Sequence, residues 1–449
     1  MDRCVEAKQA FIDVLLNAPT NSKALIEFGN FLTSIGSIAA ACRVYTELLK
    51  HQPDHAVARV NLANLLMRAG EIESAQRHYE AALKADPALP QAHQGLGTVL
   101  AAKGDRAAAD MHFRTGFAGH SMVALPYRGE EPPVELLQLV SSGDGNIPTG
   151  PLVDDRIFGT TVVVTDFHDR STPLPPHRLV FNAIGDADVC VPALTAAIDL
   201  IKGLDAPVIN RPLAVLKTGR AGNSERLGAL RHVRAPITAK LPRAALTGPD
   251  AKSVLSAYGL AFPLLVRSIG FHTGRNFSIV EAEADLPAAL ADLPGQELLA
   301  IEYLDARGAD GKYRKYRAMF VDGRIFPLHA AISRNWKVHY FTADMANDPG
   351  HRREDAAFLT DMRAVIGHKA MSALAGVGAT LGLDYGGIDF GIGTAGEVLL
   401  FEANATMVVN PPDADERWAY RHGAVTRILG AVKDMLLRTA SRPDIRKVG

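Results

Sequence analysis

The first third of the chain repeats itself every 34 residues, over residues 22–55, 56–89 and 90–123. Small residues, turn glycines, alanines and bulky residues recur in register in the three copies. The members are Gly29, Ala63 and Gly97; Gly36, Gly70 and Gly104; Ala41, Ala75 and Ala109; and Tyr45, Tyr79 and Phe113. This spacing predicts a helix–turn–helix unit, because small residues let paired helices approach and aromatic residues fill the seam between them.

This pattern resembles the tetratricopeptide repeat. The resemblance implies an α-solenoid over residues 1–125, with three repeats from about 22, 56 and 90 after an N-terminal helix. Tetratricopeptide arrays usually bind proteins or peptides, so a protein or peptide partner is one expected role. Self-association and a purely structural role fit three repeats equally well.

The rest of the chain changes texture. Proline, glycine and serine punctuation predicts a linker over residues 126–158, with one short helix around residues 134–140. Strand-like and helix-like runs then alternate, which predicts a small α/β domain over residues 159–212. A larger mixed α/β region over residues 213–442 completes a multidomain fold.

Bulk properties exclude some classes of function. The formal net charge of −1 gives no overall attraction to nucleic acid or to an acidic membrane. No window approaches the roughly 18 uninterrupted apolar residues of a membrane span. The three cysteines are far apart in the sequence and lack metal or disulfide spacing, so a cytoplasmic protein is expected. The oligomeric state stays open.

The stretch GGIDFGIGTAGEVLLFEANATM places three oxygen-bearing side chains in two apolar runs separated by a turn. Glu402 and Asn404 are two residues apart, so both emerge on one face of a strand, and the turn can bring Asp389 alongside. Carboxylate and amide oxygens suit Mg²⁺. A surface hairpin is the plainer alternative, but the flanking residues are apolar and a buried charge needs a partner.

This stretch resembles the metal-binding end of the ATP-grasp superfamily, in the branch of D-alanine–D-alanine ligase and glutathione synthetase. The resemblance implies an α/β + α+β ATP-grasp fold with a nucleotide lid at about 236–300 and a metal-binding subdomain at about 301–442. It also implies ATP and Mg²⁺ as cofactors, with Asp389, Glu402 and Asn404 as the metal ligands.

The same resemblance assigns further residues. Lys217 and Arg267 would contact ATP, Gly270 and Gly274 would let backbone N–H groups approach phosphate, and the segment from Glu302 would read adenine and ribose. That segment comprises Glu302, Tyr303, Leu304 and Asp305. Arg317 and Arg334 would act on the phosphates or the substrate. Arg267 stands where the family usually has lysine, which keeps the charge but changes its geometry.

One departure narrows the chemistry. Dipeptide ligases carry an arginine two residues before the metal-binding aspartate, and this chain has Gly387 there, which argues against D-alanyl–D-alanine synthesis. The resemblance implies an ADP-forming carboxylate–amine ligase that works through an acyl phosphate on an amino acid, peptide or protein substrate. Two alternatives stay open: a kinase-like transfer to a hydroxyl group, and a tetratricopeptide adaptor whose ATP-grasp domain senses nucleotide.

Overall fold

The computed structural model describes residues 2–269, 276–340 and 343–441. The chain divides into two compact units. One comprises Met1–Met122 with Phe167–Thr172, and the other comprises Val123–Asp166 with Pro173–Gly449. Each unit is described by itself below.

The N-terminal unit is a helical repeat array. Its helices are α1 (Asp2–Asn17), α2 (Ser22–Ser34), α3 (Ile38–His51), α4 (Ala56–Arg68), α5 (Ile72–Ala85), α6 (Pro90–Ala102) and α7 (Arg106–Phe117). After α1 they form three pairs, and the second helix of each pair follows the first across a turn of three residues. A repeated helix pair of this kind is the tetratricopeptide architecture expected from the sequence.

Two glycine positions explain the repeat. Gly36, Gly70 and Gly104 have backbone φ angles of +76°, +80° and +89°, a left-handed conformation that glycine adopts at little cost. Gly29 lies against the ring of Tyr45, where a Cβ would collide with the aromatic carbons. The sequence pattern therefore reflects turn geometry at one position and close helix packing at the other.

The C-terminal unit opens with a five-stranded sheet in the order β1–β3–β2–β4–β5. Its elements are β1 (Met122–Ala124), β2 (Val134–Val140), β3 (Phe158–Val164), β4 (Leu179–Asn182), α8 (Val191–Ile201) and β5 (Val208–Ile209). β2 pairs in parallel with both β3 and β4, and β4 pairs in parallel with β5.

The short helix expected at residues 134–140 is wrong, because those residues form β2 at the centre of this sheet. Leu136, Leu137 and Leu139 are all buried, since a central parallel strand is covered on both faces. The leucines alone would fit a helix equally well. This segment is a strand because it pairs with β3 on one side and β4 on the other. The segment 126–158, expected as a linker, thus contributes a core strand.

Two further sheets follow. The bounds up to the second sheet's last strand are α9 (Pro212–Leu216), α10 (Arg220–Gly228), β6 (Val233–Arg234), β7 (Thr238–Pro242), α11 (Arg243–Thr247), α12 (Ala251–Ala257), β8 (Leu264–Ser268), β9 (Phe277–Val280), α13 (Leu286–Ala291) and β10 (Glu297–Glu302). The remaining bounds are β11 (Tyr313–Val321), β12 (Arg324–Ser333), α14 (Pro349–Thr360), α15 (Met362–Leu381), β13 (Tyr385–Ile392), β14 (Val398–Asn404) and α16 (His422–Ala440). The four-stranded sheet has the order β7–β10–β8–β9, and the five-stranded sheet has the order β12–β11–β13–β14–β6.

Local sequence explains how the third sheet is built and anchored. Asp322 and Gly323 have φ angles of +50° and +72°, so the β11–β12 hairpin turns on two left-handed residues. The buried Asn210, which follows β5, donates from Nδ2 to the carbonyl of Tyr385 and accepts from its N–H, each at 2.8 Å. These hydrogen bonds fix the start of β13 beside the end of the parallel sheet.

Helix α15 is the one helix in the described chain that is long and apolar enough to cross a bilayer by length and composition. Its buried residues recur at helical spacing, including Ile366, Ala370, Val377 and Leu381. This buried stripe packs against strands of the third sheet. The pattern is that of a core helix with one covered face.

Candidate functional site

A row of charged side chains crosses the third sheet. Arg317 on β11 lies directly opposite Asp389 on β13, and Asp389 lies directly opposite Glu402 on β14. Residues paired in this way share a face of the sheet, with Cβ atoms about 5 Å apart. Two carboxylates facing each other repel, so the arrangement requires positive charge nearby.

Asp389 receives that charge from β11. Arg317 donates from Nε to Oδ1 at 2.5 Å and from Nη2 to Oδ2 at 2.8 Å, and Lys315 Nζ lies 3.1 Å from Oδ2. Burial would raise the pKa of Asp389, but the charges of Arg317 and Lys315 outweigh it and hold the pKa well below its usual range. The Asp389 carboxylate is therefore ionised although it is only 4% exposed.

Glu402 receives its charge from a different element. Arg220, the first residue of α10, donates from Nη2 to Glu402 Oε1 at 2.6 Å, and Asn404 Nδ2 donates to the same oxygen at 2.8 Å. Burial would raise the pKa of Glu402, but the charges of Arg220 and Arg267 lower it below its ordinary value. Both carboxylates of the row are thus held in the charged form.

The charged row forms one wall of a cavity of about 520 Å³. A second wall comes from β8 and β10 of the four-stranded sheet, where Leu265 and Ile301 lie opposite each other. Asn146, in the loop after the parallel strand β2, also lines the cavity. The predicted residues that meet here are Arg267, Glu302, Tyr303, Leu304, Arg317, Asp389 and Glu402.

The cavity carries a surplus of positive charge. Among the described residues, six cationic side chains line it against three carboxylates, which are Glu302, Asp389 and Glu402. The cations are Arg220, Arg267, Arg314, Lys315, Arg317 and Lys337. One of the six, Arg314, also pairs with Asp310 and Glu354, which do not line the cavity. Burial and the nearby Arg220 lower the pKa of Arg267 to about 10, so it stays protonated at neutral pH. This surface favours an anion with several charges.

Apolar and aromatic groups adjoin the charges. Leu304 is buried against Ala306, Leu399 and Phe401 just after β10. Trp336 packs edge-on against Phe277 at 5.3 Å between ring centroids, and the Arg267 guanidinium lies 5.6 Å from the centre of the Phe277 ring. The cavity therefore offers apolar surface for a planar group as well as a cationic floor.

Four predicted residues do not line this cavity. Lys217 is an exposed residue that ends α9, and Arg334 is exposed just beyond β12. Asp305 is bound by its neighbour Arg307, whose Nη2 donates to Oδ2 at 2.6 Å. Asn404 contacts residues that line the cavity, since its Nδ2 donates to Glu402 and its Oδ1 accepts from Thr406. Gly270 and Gly274 lie outside the described residues.

Sequence reasoning missed Arg220. The signal was indirect: a buried Glu402 demands a cation, but nothing in the sequence shows which one across the 182 positions that separate them. It also did not place His329, which lies opposite Arg317 on β12 and continues the row onto a fourth strand as a polar side chain. Burial and the charge of Arg317 hold the pKa of His329 well below its ordinary value, so this imidazole is neutral.

The oxygen donors suit Mg²⁺ in chemistry. Among the described side chains, no three His, Cys, Asp or Glu groups cluster as metal ligands, so the amide of Asn404 would have to supply the third donor. Its Oδ1 accepts from Thr406 N and Oγ1 at 3.0 and 2.9 Å, and its Nδ2 faces Glu402. Metal ligands must be deprotonated, and Asp389 and Glu402 are held so. To hold Mg²⁺, this set would need the Asn404 amide to turn and the arginine contacts to Asp389 and Glu402 to open.

Close packing explains why position 387 is a glycine. A Cβ there would lie 2.8 Å from the carbonyl oxygen of Ala318 and 2.9 Å from Met407 Cγ. Both distances are shorter than ordinary van der Waals contacts. Position 387 therefore has no room for the arginine of dipeptide ligases.

Comparisons with known proteins bear on the first unit. Residues 32–96 match the tetratricopeptide repeat family model. No curated protein matches the chain. Solved structures that match include a crystal structure of MamA, at 20% identity and a TM-score of 0.24, and MamA 41-end from Desulfovibrio magneticus RS-1, at 24% identity and 0.24. Each match spans 66% of the solved chain and about a quarter of this one.

The tetratricopeptide prediction is thus confirmed for the repeat region. Such repeats stack into extended concave surfaces that bind other proteins, which suggests an adaptor role for this part of the chain.

Proposed function

We propose that the C-terminal unit is an ATP-grasp enzyme that uses ATP and Mg²⁺ to join a carboxylate to an amine. The observation that carries this proposal is the cavity itself. Seven residues that the ATP-grasp resemblance assigns to the nucleotide, metal or catalytic site line one space, although they span positions 267 to 402 and lie on or directly after strands of two sheets.

The cationic side chains would bind the phosphates. The charges of Arg220 and Arg267 both act on Glu402. Lys337 also lines the cavity, and its Nζ donates to the Phe277 carbonyl at 3.1 Å. Fixed positive charge stabilises a phosphoryl group as its charge spreads over three oxygens. The adenine would lie along Tyr303 and Leu304, where the chain leaves β10.

Asp389 and Glu402 would hold Mg²⁺, with Asn404 as a third donor. When bound, the metal would neutralise phosphate oxygens and orient the γ-phosphoryl group. The γ-phosphoryl group would pass to a substrate carboxylate with release of ADP. An amine would then attack the acyl phosphate and release phosphate. Arg317, freed from Asp389, would stabilise the developing oxyanion in place of the arginine that position 387 cannot hold.

An ADP-release assay on the full chain tests this function. Pooled amino acids, peptides and polyols serve as acceptors, and Glu402→Ala is the inactive variant. Glu297→Ala is the matched control, because this glutamate is 57% exposed and does not line the cavity. The proposal predicts release that requires an amine, is lost in Glu402→Ala and survives in Glu297→Ala. Release with polyols alone would indicate a kinase instead.

A second candidate is an adaptor whose C-terminal unit binds nucleotide without turnover. The tetratricopeptide match to residues 32–96 favours it, because repeats of this family serve protein interaction. Binding of Mg·ATP with no ADP release under any acceptor condition would support the adaptor and reject the ligase.

A further inference from the structure

A second cavity, of about 230 Å³, adjoins the first. The two share Lys315, Arg317 and His339. The volume corresponds to about seven or eight water molecules, which suits a small organic group and not a nucleotide. It lies within the C-terminal unit.

The second cavity contains a buried arginine with unused hydrogen-bonding capacity. Arg421, at the N-terminal end of α16, is 9% exposed and lines the cavity. Its one hydrogen bond to a described residue runs from Nη2 to the Leu328 carbonyl at a long 3.5 Å. Within the described part of the chain, its Nε has no hydrogen-bond partner. A guanidinium has five N–H donors, and burying them without acceptors is unfavourable.

The nearest carboxylate does not satisfy this arginine. Asp355 Oδ2 lies 3.8 Å from Arg421 Nε, beyond hydrogen-bond distance. Asp355 already accepts from Ala330 N and from Tyr420 Oη, each at 2.7 Å. Among the described residues, these two contacts do not use all five N–H groups of Arg421, and the remaining ones can serve a ligand in the cavity.

The walls around Arg421 are apolar and aromatic. Its guanidinium lies 4.2 Å from the centre of the Tyr340 ring, and Trp418 packs 6.0 Å from Tyr340. Pro411, Pro412 and Val408 also line the space. An occupant thus meets one cationic fork and a largely apolar surface.

The side chains around the second cavity favour a ligand with one negative charge over a ligand with two. Lys315 and Arg317 already pair with Asp389, and Arg421 faces Asp355. Burial lowers the pKa of both His329 and His339, so these rings add no charge at neutral pH. A carboxylate also matches the planar arginine fork through two parallel hydrogen bonds.

We propose that the second cavity binds a small carboxylic acid with an apolar or aromatic body, and that the Arg421 guanidinium recognises its carboxylate. As a statement about the second substrate of the proposed reaction, this rests on the proposed function. As a binding site it is tested without any nucleotide.

The two tryptophans of the chain make the test selective, because Trp336 lines the first cavity and Trp418 lines the second. The full-length Trp336→Phe variant, whose fluorescence comes from Trp418 alone, is titrated with 3-phenylpropanoate, with 3-phenylpropanamide and with inorganic phosphate. The amide has the same body without the charge. We expect saturable binding of the acid and at least about tenfold weaker binding of the amide, since a charge-assisted bidentate contact is lost.

Substitutions of Arg421 complete the test. Arg421→Gln should weaken binding of the acid about tenfold or more, and Arg421→Lys should give an intermediate loss because it keeps charge without the fork. The comparison of acid and amide needs neither variant, so it decides even if Arg421→Gln fails to fold. Equal binding of acid and amide, tighter binding of phosphate, or unchanged binding in Arg421→Lys and Arg421→Gln would overturn the proposal.

Failure of the proposed function would look different. In the Trp418→Phe variant, only Trp336 reports, and a titration with Mg·ATP that gives no response would reject the nucleotide site. The response of Trp418 to the acid would be unaffected by that outcome. The two proposals therefore fail separately.

Discussion

The two units of this protein differ in whether they bury charged side chains. Within residues 2–122, every charged side chain that the structure describes is at least partly exposed, and the buried residues are apolar, tyrosine, glycine or Ser121. The C-terminal unit buries Arg267, His329, Asp355, Asp389 and Arg421. A repeat array needs only packing to be stable, whereas buried charges destabilise unless partners or ligands satisfy them. This contrast is the reason for assigning the proposed chemistry to the C-terminal unit.

The largest expected loss of stability comes from a substitution in the row of Arg317, Asp389 and Glu402. Arg317→Met should cost about 3–5 kcal/mol of the free energy of unfolding, because it leaves Asp389 buried with Lys315 as its one remaining ion-pair partner among the described residues. Urea denaturation followed by tryptophan fluorescence measures it, since both tryptophans belong to the C-terminal unit.

Arg307→Met is the matched control, because Arg307 pairs with Asp305 at a site where the arginine side chain is 55% exposed. Its cost should be much smaller than that of Arg317→Met, because water screens an exposed ion pair. If Arg317→Met lowers the free energy of unfolding no more than Arg307→Met does, burial of Asp389 does not make the protein depend on its ion pair. That result would contradict the difference between the two units.

The pH dependence of stability comes next. Burial raises the pKa of Asp355 from 3.8 to about 6, against the hydrogen bonds it accepts. Between these values the folded state binds more protons than the unfolded state, so the free energy of unfolding falls as pH rises. Asp355 should thus contribute about 3 kcal/mol below pH 4 that is lost as the pH passes 6.

Asp355→Asn isolates this contribution, because asparagine does not titrate. Urea denaturation of both proteins between pH 4 and pH 7.5 should show the wild type losing stability relative to the variant as the pH rises. A difference that stays constant with pH would show that Asp355 has an ordinary pKa.

The smallest effect tests the repeat unit. Gly29→Ala puts a methyl group into the ring of Tyr45 and should cost about 1–3 kcal/mol through overpacking. Circular dichroism at a helix wavelength would report this loss. The tryptophan-monitored transition should not move if the two units unfold separately, and an equal shift in both signals would show that they unfold together.

Some parts of this structure can be predicted from the sequence, and others cannot. The repeat helices follow from local rules, because the 34-residue period itself encodes the turn glycines and the close contact at Gly29. The hairpin that pairs Asp389 with Glu402 also follows, since strand alternation and a turn are local. Strand β2 did not follow, because its neighbours on both sides decide its conformation.

The partners of the buried charges could not be predicted. Arg220 reaches Glu402 across 182 positions, and Arg317 reaches Asp389 across 72. Composition and periodicity say that a buried carboxylate needs a cation, but only the assembled sheets show which one. The ATP-grasp resemblance assigns Lys217 and Arg334 to the site, but the fold places both outside the cavity.

Binding of Mg·ATP to the first cavity tests the central claim most directly. The full-length Trp418→Phe protein is titrated with Mg·ATP while the fluorescence of Trp336 is followed, and Arg267→Gln is compared with Arg307→Gln in the same background. We expect saturable binding, a dissociation constant at least about tenfold higher in Arg267→Gln, and no change in Arg307→Gln. No saturable response, or equal binding by Arg267→Gln, would reject the nucleotide site.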